Sequence, residues 1–261
     1  MNTQQIIIIL LIPFIGTVVG SAFVFFLKKE MPRQVRNTLM GFAAGVMVAA
    51  SVWSLLIPSM EITADNGLMS VIPATIGFLL GIFFLLLLDK ITPHQHLNTD
   101  QSEGPKCKWS RTSKLALAVT IHNVPEGIAI GIGIAGAIEG NIIMSIASAL
   151  ALAVGLAIQN IPEGAIVSIP LRDLGNSRLK SFSIGALSGI VEPIAALITI
   201  GISSLIIPAF PYMLAFGAGA MIYVVVEELI PESAEGPHSN LGTIGFAFGF
   251  VLMMILDVVL G

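Results

Sequence analysis

Residues 115–138 read LALAVTIHNVPEGIAIGIGIAGAI. Outside one short phrase this is an apolar helix, long enough to cross ~30 Å of hydrocarbon at ~1.5 Å per residue. The exception is His122-Asn123-Val124-Pro125-Glu126-Gly127. A second apolar stretch, 141–171, carries the matching phrase Gln159-Asn160-Ile161-Pro162-Glu163-Gly164. An ionisable side chain at membrane depth costs ~2.5 kcal/mol or more even on lenient insertion scales, so each phrase marks a functional site.

The rest of the chain has the same character. It has 261 residues, 55% apolar and only 11% charged, against ~25% charged in soluble domains. Eight apolar stretches are read as transmembrane helices, at about 6–27, 37–60, 68–88, 115–138, 141–171, 181–207, 212–230 and 241–260. Together they make one polytopic, all-α transmembrane domain over residues 1–261. The 26 glycines favour close helix packing. A net charge of −4 without any long basic run argues against nucleic acid as a partner. A single cysteine, Cys107, excludes an internal disulfide and a Cys-based zinc site.

The basic residues orient the helices. No Lys or Arg precedes the first apolar stretch, which is also long for a signal segment, so it is expected to remain as a helix. All twelve Lys and Arg fall in or beside alternate connections: Lys28 to Arg36, Lys90 to Lys114, and Arg172 to Lys180. Positive residues stay on the cytoplasmic side. Both termini are therefore expected outside a cytoplasmic (inner) membrane, with a cytoplasmic loop at about 90–113.

The chain also repeats itself. Ile76-Gly77-Phe78, Gly81 and Leu88-Asp89 recur at identical spacing as Ile244-Gly245-Phe246, Gly249 and Leu256-Asp257. Phe42, Ala44-Gly45, Met47 and Leu56-Ile57-Pro58 recur as Phe216, Ala218-Gly219, Met221 and Leu229-Ile230-Pro231, one residue shorter. Corresponding helices lie five crossings apart, so the two copies face opposite ways. This predicts a 3+2+3 arrangement in which helices 1–3 and 6–8 form an inverted repeat around helices 4 and 5, a common transporter plan.

Helical spacing places His122, Asn123 and Glu126 on one face of helix 4, and Gln159, Asn160 and Glu163 on one face of helix 5. Pro125 and Pro162 each remove a backbone donor and displace the carbonyl four residues earlier, predicting distortions at Ile121 and Ile158. Two facing glutamates in hydrocarbon repel one another unless a cation lies between them. Imidazole favours zinc or ferrous iron over magnesium, and the missing thiolate argues against copper(I). Interhelical hydrogen bonding alone contributes only ~0.6–2 kcal/mol, little return for burying two carboxylates.

The paired His-Asn-Val-Pro-Glu-Gly and Gln-Asn-Ile-Pro-Glu-Gly phrases, in eight helices, resemble the ZIP (Zrt/Irt-like) family of metal transporters, on its prokaryotic side. The resemblance implies a homodimeric importer of zinc, with Fe2+, Mn2+ and Cd2+ as further substrates, and a two-metal site between helices 4 and 5. One set of metal ligands would be His122, Glu126, Gln159 and Glu163, with a thioether from Met47 on helix 2. The adjacent set would be Asn123, Glu126, Asn160, Glu163 and Glu192 of helix 6, with Glu126 and Glu163 bridging. Some members carry Asp where this chain has Asn160. Sliding of one helix group against the other is the implied mechanism. Glu192-Pro193, mid-helix, also reads as part of the site from its buried charge alone.

Glu227 and Glu228 near the cytoplasmic end of helix 7 read as an exit path or as groups reaching headgroup water. Asp89, His94 and His96 read as a metal outlet or as solvated loop residues. Glu61 and Asp65 at the outer mouth would attract cations. The rival readings are a carboxylate-based carrier of protons or small solutes without metal, and an intramembrane zinc enzyme. The second needs a motif such as His-Glu-x-x-His, which is absent from a chain with four histidines.

Overall fold

The computed structural model describes residues 1–26, 31–93, 104, 105, 107, 108, 110–140, 145–202 and 209–260. Every regular element among them is helical, and eight helices are long and apolar enough to cross a membrane. They are α1 (Thr3–Phe25), α2 (Arg33–Glu61), α3 (Ala64–Ile91), α4 (Thr112–Ile138), α5 (Ile146–Arg172), α6 (Arg178–Gly201), α7 (Phe210–Ser233) and α8 (Leu241–Leu260). Several run a few residues past the limits read from hydropathy; α3 does so through a 3-10 stretch, Ala64–Ser70, that is kinked at Gly67, and others begin at polar caps outside the apolar run. Ser110, for example, caps α4 by accepting the Ser113 N–H at 3.2 Å. Helix α5 starts later than expected, at a Ser145 cap that accepts the Ser148 N–H at 3.0 Å; residues 141–144 lie outside the described residues.

Lipid tails are as apolar as leucine, so helices in a bilayer associate through close packing rather than hydrophobic drive. Four pairs pack most extensively here: α1 with α5, α4 with α6, α2 with α8, and α3 with α7. Glycine brings their backbones together. A Cβ at Gly45 would lie 2.1 Å from the Phe246 carbonyl oxygen, and one at Gly249 would lie 2.1 Å from that of Phe42. On the other side, a Cβ at Gly219 would lie 2.0 Å from the Phe78 carbonyl oxygen, and one at Gly81 would lie 2.1 Å from that of Phe216. These are equivalent positions of the two repeated sequences. Exchanging helices 1–3 for 6–8 and helix 4 for 5 leaves all four pairings unchanged.

Helices α4 and α5 remain α-helical through Pro125 and Pro162, so the distortions expected at Ile121 and Ile158 do not interrupt either helix. The irregular winding lies in their neighbours. In α2 a π-helical segment spans Ser51–Leu56, just before Pro58; in α7 one spans Val225–Leu229, just before Pro231. In each, the N–H of the residue before the proline reaches back five residues, Ile57 to Val52 and Ile230 to Val225. The wider turn absorbs the missing proline donor. Helix α6 breaks outright, into Arg178–Ser188 and Val191–Gly201. Pro193 falls in the first turn of the second half, where a helix does not need its N–H.

Candidate metal centre

The two Pro-Glu-Gly phrases meet at the centre of the bundle. Each glycine is there because another backbone passes close by. A Cβ at Gly127 would lie 2.4 Å from the carbonyl oxygen of Glu192, and one at Gly164 would lie 2.4 Å from that of Thr17. The glycine after each glutamate therefore seats α6 against α4 and α1 against α5. This delivers Glu192 and Thr17 to the polar faces of the central pair.

His122, Asn123, Glu126, Gln159, Asn160 and Glu192 are all buried, and Glu163 is half-buried. The Gln159 amide joins the two motif acids, donating from Nε2 to Glu126 Oε1 at 3.1 Å and to Glu163 Oε2 at 2.6 Å. Asn160 Nδ2 donates to Glu192 Oε2 at 3.0 Å and to the Pro13 carbonyl of α1 at 3.3 Å. The Thr17 hydroxyl donates to Glu192 Oε1 at 3.2 Å. The Asn123 amide lies between Glu192 and Glu163. In one orientation Nδ2 approaches Glu192 Oε1 at 3.3 Å and the Ser188 carbonyl, at the break in α6, at 3.4 Å. Turned over, its nitrogen lies 3.0 Å from Glu163 Oε1 and 3.2 Å from the Val119 carbonyl, and every donor then meets an acceptor. Glu192 itself sits in the first turn of the second half of α6, where the helix dipole favours a negative charge.

Three buried oxygens in this cluster accept no hydrogen bond among the described residues: Glu126 Oε2, Gln159 Oε1 and Asn160 Oδ1. A buried polar atom without a partner costs ~1–3 kcal/mol. Three of them within one hydrogen-bonded cluster form an oxygen-rich, electron-donating surface in hydrocarbon. Among the described residues, no three His, Cys, Asp or Glu side chains stand close enough to grip one ion. The amide N–H groups of Gln159, Asn123 and Asn160 instead occupy the spaces between the acids.

The other expected residues fall around this core. His122 pairs with Glu228 of α7 through Nδ1, so the imidazole faces α7. Met47 is buried on α2. Asp89 is buried at the end of α3 and accepts from the Tyr223 hydroxyl of α7 at 2.5 Å. Glu227 is exposed, as are Glu61 and Asp65, while His94 and His96 lie outside the described residues.

Several polar partners lie outside the residues singled out in the sequence. Thr17 and Tyr223 are hydroxyls in apolar helices, where such residues are common and individually uninformative. Glu232 is buried one turn beyond Glu228; it lies past residue 230, where the apolar run read as helix 7 ends. Asp257 of α8 accepts from the Ser54 hydroxyl of α2 at 2.8 Å. The rule for charges at membrane depth would have found Asp257, which had served only as a marker of the repeat.

A family model described as ZIP Zinc transporter matches residues 93–257. The chain is 36% identical to the zinc transporter ZIP11 of Xenopus tropicalis, over 94% of each chain. It is 35% identical to the zinc transporter ZIPB of Bordetella bronchiseptica, over 95% of this chain and 79% of that one. It is 34% identical to the zinc transporter GufA of Myxococcus xanthus, over 94% and 96%.

Proposed function

Because the chain belongs to the ZIP family of zinc transporters, we propose that it moves zinc into the cytoplasm through the polar cluster between α4 and α5. The observation that carries this reading is the set of three buried acceptor oxygens without donors among the described residues, on Glu126, Gln159 and Asn160. Zinc accepts both oxygen and imidazole ligands. A dication would replace the amide hydrogens that now separate the acids, and the amides would turn their oxygens inward. One ligand set is His122, Glu126, Gln159 and Glu163, with Met47 beside it. The neighbouring set is Asn123, Glu126, Asn160, Glu163 and Glu192. Fe2+, Mn2+ and Cd2+ suit the same donors and are proposed as further substrates.

The His122–Glu228 pair supports an exit path. The imidazole that would bind zinc in the centre here reaches an acid farther along α7, and Asp89 stands beside α7 as well. The chain is a multi-pass membrane protein. The proposed orientation, both termini outside the inner membrane, rests on the alternation of basic connections. The 3+2+3 inverted repeat is supported by the paired glycine contacts and by matching π-helical segments in α2 and α7. It would let one helix group slide against the other. A homodimer is the proposed assembly.

The direct test is uptake of labelled zinc into vesicles reconstituted with the full chain, with Fe2+, Mn2+, Cd2+ and a proton gradient alone as comparisons. Saturable zinc uptake is expected. Proton or solute flux that ignores zinc would favour the metal-free carrier instead.

Asn160→Asp offers a second check. Its carboxylate would face Glu192 where an amide donor now stands, so the variant should lose thermal stability in chelator. Zinc should restore it, with a larger thermal shift than wild type shows; a site at hundredfold excess over Kd supplies about 2.7 kcal/mol. A variant equally unstable with and without zinc would remove Asn160 from the site.

A further inference from the structure

Asp89 and Asp257 occupy equivalent positions of the repeated sequences, near the ends of α3 and α8. Each is held by a hydroxyl from the helix packed against it. Tyr223 of α7 donates to Asp89 Oδ2 at 2.5 Å, and Ser54 of α2 donates to Asp257 Oδ2 at 2.8 Å. Both donors sit at the widened turn of their helix. Ser54 lies within the π-helical segment Ser51–Leu56, and Tyr223 lies just before the one at Val225–Leu229. The two donors differ in kind and do not align in the repeat. What recurs is the link itself, an acid tied to the partner helix where that helix is irregular.

The Asp89 link has a chemical consequence for an outgoing ion. Asp89 is buried and Tyr223 is half-buried. An O–H group that donates to an ionised carboxylate at ~2.5–2.7 Å makes a charge-assisted bond, about twice as strong as a neutral one. A dication that reaches Asp89 seeks the same lone pairs and repels the phenol hydrogen. Cation and phenol therefore compete for one carboxylate. Tyr223 also belongs to the helix that carries Glu228, the partner of His122. The donor and the acid that precedes Asp89 on the proposed exit path thus move as parts of one helix.

We propose that Tyr223 is a positioning residue for cation release. Its hydroxyl holds Asp89 until the outgoing cation displaces it, and returns as the ion leaves. The phenol keeps its proton throughout. This competition weakens the hold of Asp89 on the ion about tenfold, the size expected of a hydrogen bond to a charged group. The proposal deepens the transport reading given above and rests on its exit path.

Tyr223→Phe removes one oxygen and keeps the ring. In vesicles reconstituted with the full chain, zinc uptake by this variant should show kcat and KM falling together, about tenfold, because Asp89 now retains the ion. Loading from the outside is untouched, so kcat/KM should stay within about twofold of wild type. In an Asp89→Asn background Tyr223→Phe should change nothing further, since a neutral amide does not retain a dication.

The link can also be watched directly. The chain has two tyrosines, so in Tyr212→Phe the phenol bands of an ultraviolet resonance Raman spectrum report Tyr223 alone. Zinc added to the purified protein should shift those bands as the hydroxyl loses its acceptor. The shift should be absent once Asp89→Asn is added.

An unchanged kcat in Tyr223→Phe, or phenol bands that ignore zinc, would overturn the proposal. So would an equal loss of kcat in the Asp89→Asn background, or a collapse of kcat/KM, either of which would make Tyr223 a packing residue. Wild-type vesicles that take up no zinc while zinc still releases Tyr223 would sink the transport reading and leave the competition at Asp89 standing.

Discussion

Vesicles carrying Glu126→Gln or Glu163→Gln are expected to take up zinc about 100-fold more slowly than wild type, since even outer-shell partners of metal ligands contribute 10–100-fold. Glutamine keeps the shape of each side chain and one acceptor oxygen, so Gln159 can still donate to both positions. What it removes is the negative charge. If the cluster only fastened helices together, uptake would stay close to wild type. If it binds a dication, charge is the essential property and transport collapses while the fold persists. Thermal stability in chelator separates the two further. Glu126, Glu163 and Glu192 share one network, and removing one charge relieves like-charge repulsion in a medium that screens poorly. The zinc-free variant should therefore be at least as stable as wild type. Loss of stability together with uptake would instead mean that the acids are structural.

Gly45→Val and Gly219→Val are expected to prevent recovery of folded, monodisperse protein from membranes. Each new Cβ would lie 2.0–2.1 Å from a carbonyl oxygen of the facing helix. No rotamer change relieves that contact, because the obstructing atom is backbone. The helices must separate, which forfeits packing along the whole pair and exceeds the ~1–3 kcal/mol of ordinary overpacking. The two substitutions act at equivalent places of the proposed repeat, α2 against α8 and α7 against α3, so their effects should match. Gly201→Ala is the control. Among the described residues nothing lies within 4 Å of a Cβ there, and alanine favours the helix; yield should equal wild type. Near-normal recovery of either valine variant would mean that close backbone approach does not hold these pairs.

Much of this architecture was legible from local chemistry. Crossing hydrocarbon demands a long apolar run, so eight runs gave eight helices with limits shifted by a few residues. The charged phrases stood out because lipid tolerates no charge without cause. Pro125 and Pro162 were expected to disturb their own helices, yet both helices continue through them. The irregular turns precede Pro58, Pro231 and Pro193 instead. One proline removes the same donor everywhere; whether the helix bends, widens or breaks depends on which neighbours accept the displaced carbonyl, and that is a tertiary property.

The amino-acid sequence by itself determined that the chain crosses a membrane eight times and carries two matched polar phrases, because hydropathy and helical period act over a few turns. Only the tertiary structure decided what surrounds those phrases. It set α6 and α1 against the glycines at 127 and 164, brought Thr17 and Glu192 into the cluster, and turned His122 toward Glu228. Those contacts join residues far apart in the chain. They follow from which helix backbones approach closely enough to touch, and no local pattern encodes that choice.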